Sequence, residues 1–188
     1  MRVLIAEDET LIRLDLRASL ESAGIEVCAE ASNGVEALEL ARSAQPDIAL
    51  LDVKMPRLDG IEAARRMLDE RPIPIVLISA FTEQRLVERA VDAGVFGYLS
   101  KPFRQADLIP AIATARARFD QLATVREQAD SLAEALATRK VVERAKGLLM
   151  ASQGLTEQDA FTRLRRASQT SGKPMRVIAE ALVETLAQ

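Results

Sequence analysis

Five short apolar segments alternate with amphipathic segments in the first two thirds of the chain, and this alternation restricts the fold more than any other feature. The apolar segments read RVLIA, EVCAEA, DIALLD, PIVLIS and GYLS. Such alternation is typical of parallel strands that are covered by helices on both faces. The sequence therefore predicts an α/β domain over residues 1–120, with a doubly wound, five-stranded parallel sheet.

Composition excludes several classes of protein. Aromatic residues make up only 3% of the chain, which favours helices and buried strands over a β-sandwich. The chain has no histidine, so serine–histidine catalysis and histidine-ligated zinc are excluded. Its single cysteine, Cys28, lies in a predicted strand and is interpreted as a small buried thiol.

We expect neither a membrane span nor a signal peptide in this sequence. No apolar run reaches the roughly 18 residues of a membrane span, and the N-terminal segment becomes acidic before a signal-peptide core is complete. We therefore expect a cytoplasmic protein.

A long helical segment follows the predicted sheet. Residues 111–146 contain neither Gly nor Pro, which predicts an uninterrupted helix, and Asp107 as its N-cap would place Pro110 in the first turn. Apolar residues recur along this segment with the spacing of a coiled-coil seam. The seam consists of Leu108, Ile112, Ala115, Phe119, Leu122, Val125, Ala129, Leu132 and Leu136. The pattern predicts a helical coiled-coil linker over residues 108–138, although its first turns could instead pack on the sheet domain.

Two shorter helices are predicted near the C-terminus. Thr156 and Asp159 have the spacing of a capping box, and Gly172 and Pro174 separate the two helices. One face of the first of these helices is apolar and consists of Ala160, Phe161, Leu164 and Ala167. Together with the end of the long helix, they predict a three-helix domain over residues 125–188.

Charge is distributed unevenly along the chain. Residues 139–188 carry nine Lys and Arg against five Asp and Glu, whereas residues 1–138 carry 16 against 23. A basic C-terminal segment can bind a polyanion such as nucleic acid, although a difference of this size also arises by chance in a short segment.

Polar residues stand at the ends of four predicted strands. They are Glu7, Asp8, Asp52, Ser79 and Lys101. Because the carboxyl ends of parallel strands meet at one edge of a sheet, we expect these side chains to converge. Clustered carboxylates repel one another, and Mg²⁺ is the usual partner that relieves the repulsion. Asp52 would then be positioned for in-line attack on phosphorus, with Lys101 contacting the phosphoryl oxygens.

Several of these segments closely resemble the receiver domain of two-component response regulators, and the resemblance covers residues 1–120. It is carried by the segments IAEDE, NGVEAL, LLDVKMPRLDG, LISA and GYLSKPF. The resemblance implies a flavodoxin-like fold and a phosphoprotein that receives its phosphate from a sensor histidine kinase. It also implies a cis peptide bond before Pro102, which a proline tolerates at low cost.

The receiver resemblance implies a role for each residue of the acidic cluster. It assigns phosphate acceptance to Asp52. It assigns Mg²⁺ binding to Glu7, Asp8, Asp52 and the carbonyl group of Lys54. It assigns the switch and phosphate-binding roles to Ser79, Tyr98 and Lys101. Glu7 stands where an aspartate is common in the family.

The C-terminal segment resembles the ANTAR family of RNA-binding antitermination domains. The resemblance is carried by the segment AFTRLRRA and by Arg139, Ala145, Lys146, Gly147 and Met150. It implies a transcription antiterminator that binds RNA hairpins.

The same segment predicts a basic patch that contacts RNA. Arg139 and Lys146 lie seven residues apart, so they share one face of a helix, and Lys146 is expected to be exposed. Gly147 leaves room for a closely approaching backbone. Arg163 and Arg166 on the next helix can extend the patch.

Two functions remain open at this point. The first is a phosphorylation-controlled antiterminator that binds RNA hairpins and forms a homodimer on phosphorylation or RNA binding. The second is a response regulator whose coiled coil and bundle dock a partner protein without binding nucleic acid. DNA binding is disfavoured because the segment TEQDAF is acidic where a recognition helix needs contacts to bases. An enzymatic function is not predicted, because no second acid or histidine is an obvious general acid beside Asp52.

Overall fold

The computed structural model describes residues 1–80 and 84–186 of the chain, with residues 84–87 and 186 described by their backbone only. The chain divides into two compact units, residues 1–123 and residues 124–188. The last two residues of the predicted C-terminal domain lie outside the described residues. No helix in the described part of the chain is long and apolar enough to cross a lipid bilayer.

The first unit alternates strands and helices. Its strands are β1 (Arg2–Ala6), β2 (Glu26–Ala31), β3 (Ile48–Asp52), β4 (Ile75–Ser79) and β5 (Gly97–Ser100). Its helices are α1 (Thr10–Ser22), α2 (Gly34–Ala44), α3 (Gly60–Glu70) and α4 (Gln84–Asp92). Neighbouring strands pair in parallel in the order β2-β1-β3-β4-β5, which confirms the predicted doubly wound sheet.

A long helix, α5 (Gln105–Gln153), begins in the first unit and ends in the second. The prediction that Asp107 is its N-cap is wrong, because Asp107 lies inside the first turn and accepts a hydrogen bond from the backbone N–H of Arg104 (3.1 Å). Pro110 therefore lies inside the helix, beyond the first turn, where its ring leaves one backbone hydrogen bond unmade. Beyond Gly147, α5 continues for six more residues.

The second unit packs α6 (Glu157–Ser171) and α7 (Met175–Leu186) with the end of α5. The predicted cap is confirmed, since the Thr156 hydroxyl accepts a hydrogen bond from the backbone N–H of Asp159 (3.2 Å). Ala160 and Leu164 are buried, but Phe161 is 42% exposed. The apolar face of α6 is thus narrower than the four-residue face that the sequence predicts.

Two apolar cores cover the faces of the sheet. Val3 and Ile5 of β1 pack with α1 and the first turns of α5, whereas Leu4 and Ala6 pack with α2 and α3. This alternation follows from the pleat, which points successive side chains to opposite faces. Strands β3 and β4 are buried along their whole length, because helices cover both faces of the sheet.

The predicted coiled-coil seam has two parts with different surroundings. Leu108, Ile112 and Ala115 are buried against the sheet. The Phe119 ring meets the Phe96 ring edge-on, with their centroids 5.2 Å apart. The seam becomes exposed only from Leu122 onward.

Gly60 begins α3 where that helix approaches the strand that carries Asp52. A Cβ atom at Gly60 would lie 2.0 Å from the Asp52 carbonyl oxygen, a backbone atom that cannot rotate away. We expect Gly60→Ala to lower the free energy of unfolding by about 1–3 kcal/mol, the usual cost of overpacking, in urea denaturation.

Gly147→Ala is the matched control for this substitution. A Cβ atom at Gly147 meets no atom of the described residues within 4 Å. Alanine there should raise the free energy of unfolding by about 0.5–1 kcal/mol, because it is the better helix former. A Gly60→Ala protein as stable as the wild type would contradict the close approach.

Candidate functional site

Three carboxyl groups meet at the carboxyl edge of the sheet. Glu7 and Asp8 follow β1, Asp52 ends β3, and one oxygen atom of each lies within 4.8 Å of the others. Glu7 is 0% exposed and Asp52 is 5% exposed, whereas Asp8 is open to solvent. The structure therefore brings together the three acids that the sequence places at strand ends.

Lys101 supplies the positive charge at this edge. Its Nζ atom lies 2.7 Å from Oε2 of Glu7 and 2.6 Å from Oδ1 of Asp52. The Lys101 backbone N–H donates to the carbonyl oxygen of Ser79 (2.7 Å), and the Lys101–Pro102 peptide is cis, as expected. The side chain thus reaches the acids from the loop after β5.

Burial dominates the electrostatics of the acidic cluster. It raises the pKa of Asp52, and the hydrogen bond and charge of Lys101 offset this only in part. Burial also raises the pKa of Glu7, where Lys101 again acts in the opposite direction. Burial alone would lower the pKa of Lys101, but hydrogen bonds to Asp52 and Glu7 outweigh it and raise that pKa.

The cluster has too little positive charge for its carboxylates, and this makes it a fitting site for a hard divalent cation. One ammonium group serves two buried acids, and the third acid, Asp8, lies at the open side of the cluster. Mg²⁺ binds through one or two carboxylates and keeps several waters, so it suits a half-open group of oxygens. The backbone N–H of Lys54 donates to Oδ2 of Asp52 (2.8 Å) and fixes the orientation of this carboxylate.

The two predicted switch residues lie on neighbouring strands. Ser79 ends β4 and is 2% exposed, and it pairs in register with Ser100 of β5. Tyr98 lies in β5, half-buried against the core formed with α2 and α3. Of the segment that follows Ser79, residues 81–83 lie outside the described residues.

One residue that holds the acidic turn was missed by the sequence analysis. The Arg13 guanidinium donates to the carbonyl oxygen of Glu7 (2.5 Å), and it lies 3.7 Å from the carboxylate of Glu30 in β2. Arg13 therefore positions the backbone between Glu7 and Asp8. Its position one turn into α1, six residues after Glu7, could have indicated a contact with the turn after β1. Its second partner, Glu30, becomes a neighbour only when β2 pairs with β1.

The structure corrects the expected exposure of Lys146. This residue is 7% exposed, and its Nζ atom lies 2.7 Å from Glu157 and 2.9 Å from Glu143. Hydrogen bonds to Glu157 and Glu143 raise the pKa of Lys146. The prediction of an exposed lysine is wrong because Glu157, at the start of α6, reaches the side chain and joins α5 to α6.

The remaining residues of the predicted patch are exposed. Arg139 and Gly147 lie on the surface of α5, and Arg163 and Arg166 lie on the surface of α6. The guanidinium of Arg163 donates to the side-chain oxygen of Gln153 at the end of α5. The surface of the second unit therefore presents the three arginines of the predicted patch and an open backbone position at Gly147.

Comparison with known proteins identifies both units. Residues 3–113 match the family model of the response regulator receiver domain, and residues 130–183 match that of the ANTAR domain. The transcriptional regulatory protein PdtaR of Mycobacterium tuberculosis (strain ATCC 25618 / H37Rv) is 50% identical over 185 residues, which is 98% of this chain and 90% of that protein.

Solved structures agree with the first match. The receiver domain of the putative response regulator NarL from Mycobacterium tuberculosis is 34% identical with a TM-score of 0.60, covering 62% of this chain and 95% of that chain. A CheX–CheY–BeF3–Mg²⁺ complex from Borrelia burgdorferi is 25% identical with a TM-score of 0.58, covering 60% and 86%.

These matches confirm both resemblances that the motifs predict. The first unit, which contains the acidic cluster, matches one family, and the helical unit with the exposed arginines matches the other. One relative is similar along nearly the whole chain. The chain belongs to the two-component response regulators that combine an N-terminal receiver domain with a C-terminal ANTAR domain.

Proposed function

We propose that this chain is a phosphorylation-controlled antiterminator, which accepts a phosphoryl group on Asp52 and binds RNA hairpins through its ANTAR domain. The observation that carries the proposal is the combination, in one chain, of the acidic cluster around Asp52 with an ANTAR domain. A sensor histidine kinase is the proposed phosphate donor.

Asp52 is the proposed phosphoacceptor because it is the acid that Lys101 and the Lys54 N–H both contact. One of its carboxylate oxygens forms a bond to phosphorus while the bond from phosphorus to the leaving group of the donor breaks. Lys101 already lies at hydrogen-bond distance from Asp52 and is close enough to contact the phosphoryl oxygens. Ser79 and Tyr98 are the proposed switch residues.

Mg²⁺ is the proposed cofactor of this transfer. Its proposed ligands are Glu7, Asp8, Asp52 and the carbonyl group of Lys54. When bound, Mg²⁺ offsets the negative charge that accumulates on the phosphoryl group. The related complex from Borrelia burgdorferi contains both BeF3 and Mg²⁺, which supports this assignment.

The proposed RNA contacts are the exposed residues of the second unit. Arg139, Arg163 and Arg166 would contact phosphates or bases, and Gly147 would allow the RNA backbone to approach α5. Lys146 has a different role in this proposal, because its ammonium group already binds Glu143 and Glu157. It fixes the α5–α6 arrangement that presents the arginines.

A homodimer is the proposed active form. Apolar side chains of α5 beyond the sheet core are exposed, namely Leu122, Val125, Leu132 and Leu136. Exposed apolar residues at this spacing support pairing with a second copy. The same stripe would also fit a partner protein, which keeps protein docking as the second candidate function.

Asp52→Asn should abolish phosphorylation by a small phosphodonor such as acetyl phosphate. The amide cannot attack phosphorus as the carboxylate does. Intact mass spectrometry should show one added phosphoryl group on the wild type, none on Asp52→Asn and none on the wild type in EDTA. Asp15→Asn, which changes an exposed acid of α1, is the matched control. Equal phosphate uptake by Asp52→Asn would contradict the assignment.

Phosphorylated protein should bind RNA hairpins more tightly than the unmodified protein, and more tightly than a fully paired duplex of the same stem. Single-stranded loops expose the bases that proteins read. The logarithm of the affinity should fall with the logarithm of the salt concentration with a slope of about −2, since three arginines each contribute roughly −0.7.

Sedimentation of the same samples reports the oligomeric state. A shift from monomer to dimer on phosphorylation or RNA binding is the expected result. Absence of hairpin binding in both phosphorylation states would overturn the antiterminator proposal and favour the protein-docking function.

Gly147→Ala should weaken hairpin binding even though it stabilises the fold. The added methyl group meets no described atom of the protein, so any loss of affinity reports a close approach by RNA. We expect a loss of about tenfold in hairpin affinity, equivalent to about 1.4 kcal/mol, in fluorescence anisotropy titrations. Ala151→Ser, an equally small change at an exposed position one turn further along α5, is the control. Unchanged affinity of Gly147→Ala would remove Gly147 from the RNA-binding surface.

A further inference from the structure

The turn after β1 carries two of the three clustered acids, and Arg13 holds it from the side of α1. The guanidinium of Arg13 donates to the carbonyl oxygen of Glu7 (2.5 Å), and the backbone N–H of Glu7 donates to the carbonyl oxygen of Ala31 in β2 (3.0 Å). Both backbone polar groups of Glu7 are therefore fixed. The carbonyl group that Arg13 binds belongs to the planar peptide that joins Glu7 to Asp8, so the same hydrogen bond fixes the backbone that carries Asp8.

Arg13 is itself held by an acid of β2. Its Nε atom lies 3.7 Å from Oε2 of Glu30, and the other oxygen of Glu30 accepts a hydrogen bond from Arg17 (2.8 Å). Arg17 also binds Glu21 one turn further along α1 (2.8 Å). The Arg13 side chain is 18% exposed and that of Arg17 is 47% exposed, so this chain of ion pairs leads from the surface of α1 inward to the acidic turn.

The contacts of Arg13 differ in kind from those of Lys101. Lys101 binds the carboxylates of Glu7 and Asp52 directly and supplies them with positive charge. The hydrogen bond of Arg13 reaches a backbone oxygen instead, and the carboxylate of Glu30 lies beside the guanidinium and offsets its charge. Arg13 is therefore suited to fixing the position of the acids rather than to neutralising them.

We infer that Arg13 is a positioning residue for the divalent cation, an inference that rests on the proposed role of Mg²⁺ in the phosphorylation of Asp52. Mg²⁺ demands a near-ideal octahedral geometry, so its affinity depends on the placement of each ligand. Asp8 is exposed, and its carboxylate is placed by the backbone that carries it. Arg13 fixes that backbone, and Glu30 keeps Arg13 in place. Partners that orient metal ligands are typically worth about 10- to 100-fold in metal affinity.

The sign of the effect separates positioning from charge. Arg13 is a cation near a cation site, so removal of its charge alone should strengthen Mg²⁺ binding. Loss of its hydrogen bond to Glu7 should weaken Mg²⁺ binding, because the turn can then move away from Asp52. We expect the second effect to dominate in Arg13→Met, with a loss of about tenfold in affinity. Arg13→Lys keeps the charge but lacks the planar fork that holds two partners, so it should also bind Mg²⁺ more weakly than the wild type.

The test uses the full chain and Mn²⁺, which takes the same oxygen ligands as Mg²⁺ and gives an electron paramagnetic resonance signal when free in solution. Loss of this signal measures Mn²⁺ binding, and competition with Mg²⁺ gives the Mg²⁺ affinity. Arg42→Met is the matched control, since it removes an arginine of α2 and its ion pair to Glu70 of α3, and its affinity should equal that of the wild type. Thermal melts by circular dichroism show whether each variant keeps the wild-type fold.

Two further measurements distinguish positioning from a general loss of structure. Arg13→Met should be phosphorylated by acetyl phosphate at the wild-type rate when Mg²⁺ is saturating, with only the Mg²⁺ midpoint raised about tenfold. Glu30→Gln should weaken Mg²⁺ binding, and its addition to Arg13→Met should cause little further loss, because Glu30 acts through Arg13.

The outcomes separate this inference from the function on which it rests. A folded Arg13→Met protein that binds Mg²⁺ as tightly as the wild type, or more tightly, would overturn the positioning role and leave the Mg²⁺ assignment intact. If Arg13→Met does not fold, unchanged Mg²⁺ affinity in folded Arg13→Lys and Glu30→Gln proteins would overturn it in the same way. A wild type that binds neither ion would overturn the Mg²⁺ assignment and this inference together.

Discussion

The sharing of one ammonium group by two buried carboxylates is the interaction on which the receiver domain depends. Lys101 lies within 2.7 Å of Glu7 and 2.6 Å of Asp52, and burial raises the pKa of both acids in spite of it. Charge removed from water needs a partner, and here the partner is insufficient for the charge present. The cluster therefore keeps an excess of negative charge that a bound cation can offset. A site that holds a metal ion beside a phosphoryl group requires such an excess.

The rest of the first unit holds this cluster in place from several directions. Arg13 fixes the turn after β1, the Lys54 N–H orients Asp52, and the N-terminus of α3 reaches the Asp52 carbonyl so closely that only glycine fits at position 60. These contacts come from parts of the chain far apart in sequence. The fully buried central strands β3 and β4 supply the rigid frame that aligns them.

The sequence predicts the sheet and its acidic edge well because both follow from local patterns. The alternate packing of β1 side chains on the two faces of the sheet can be predicted from the local sequence alone. The same is true of the strand ends at Asp52 and Ser79. Lys146 shows where this reasoning stops. Its i, i+3 partner Glu143 could be read from the sequence, but Glu157 reaches it only because α6 folds back on α5. The sequence pattern also predicts Phe161 on the buried face of α6, but its side chain is 42% exposed. Periodicity gives the direction of a side chain on its helix, and it does not show how much of that face the neighbouring helices cover.

The contact between Lys146 and Glu157 also constrains how such domains can diverge. The two positions lie eleven residues apart on different helices, and the lysine is nearly enclosed while its acidic partner is open to solvent. An exchange at position 157 alone would remove one of the two acids that bind the lysine, so the two positions are expected to vary together among relatives. The exposed arginines are not enclosed in this way, since their side chains are open to solvent. Their identities can therefore change with less effect on the packing, while the lysine and its acids preserve the helical frame beneath them.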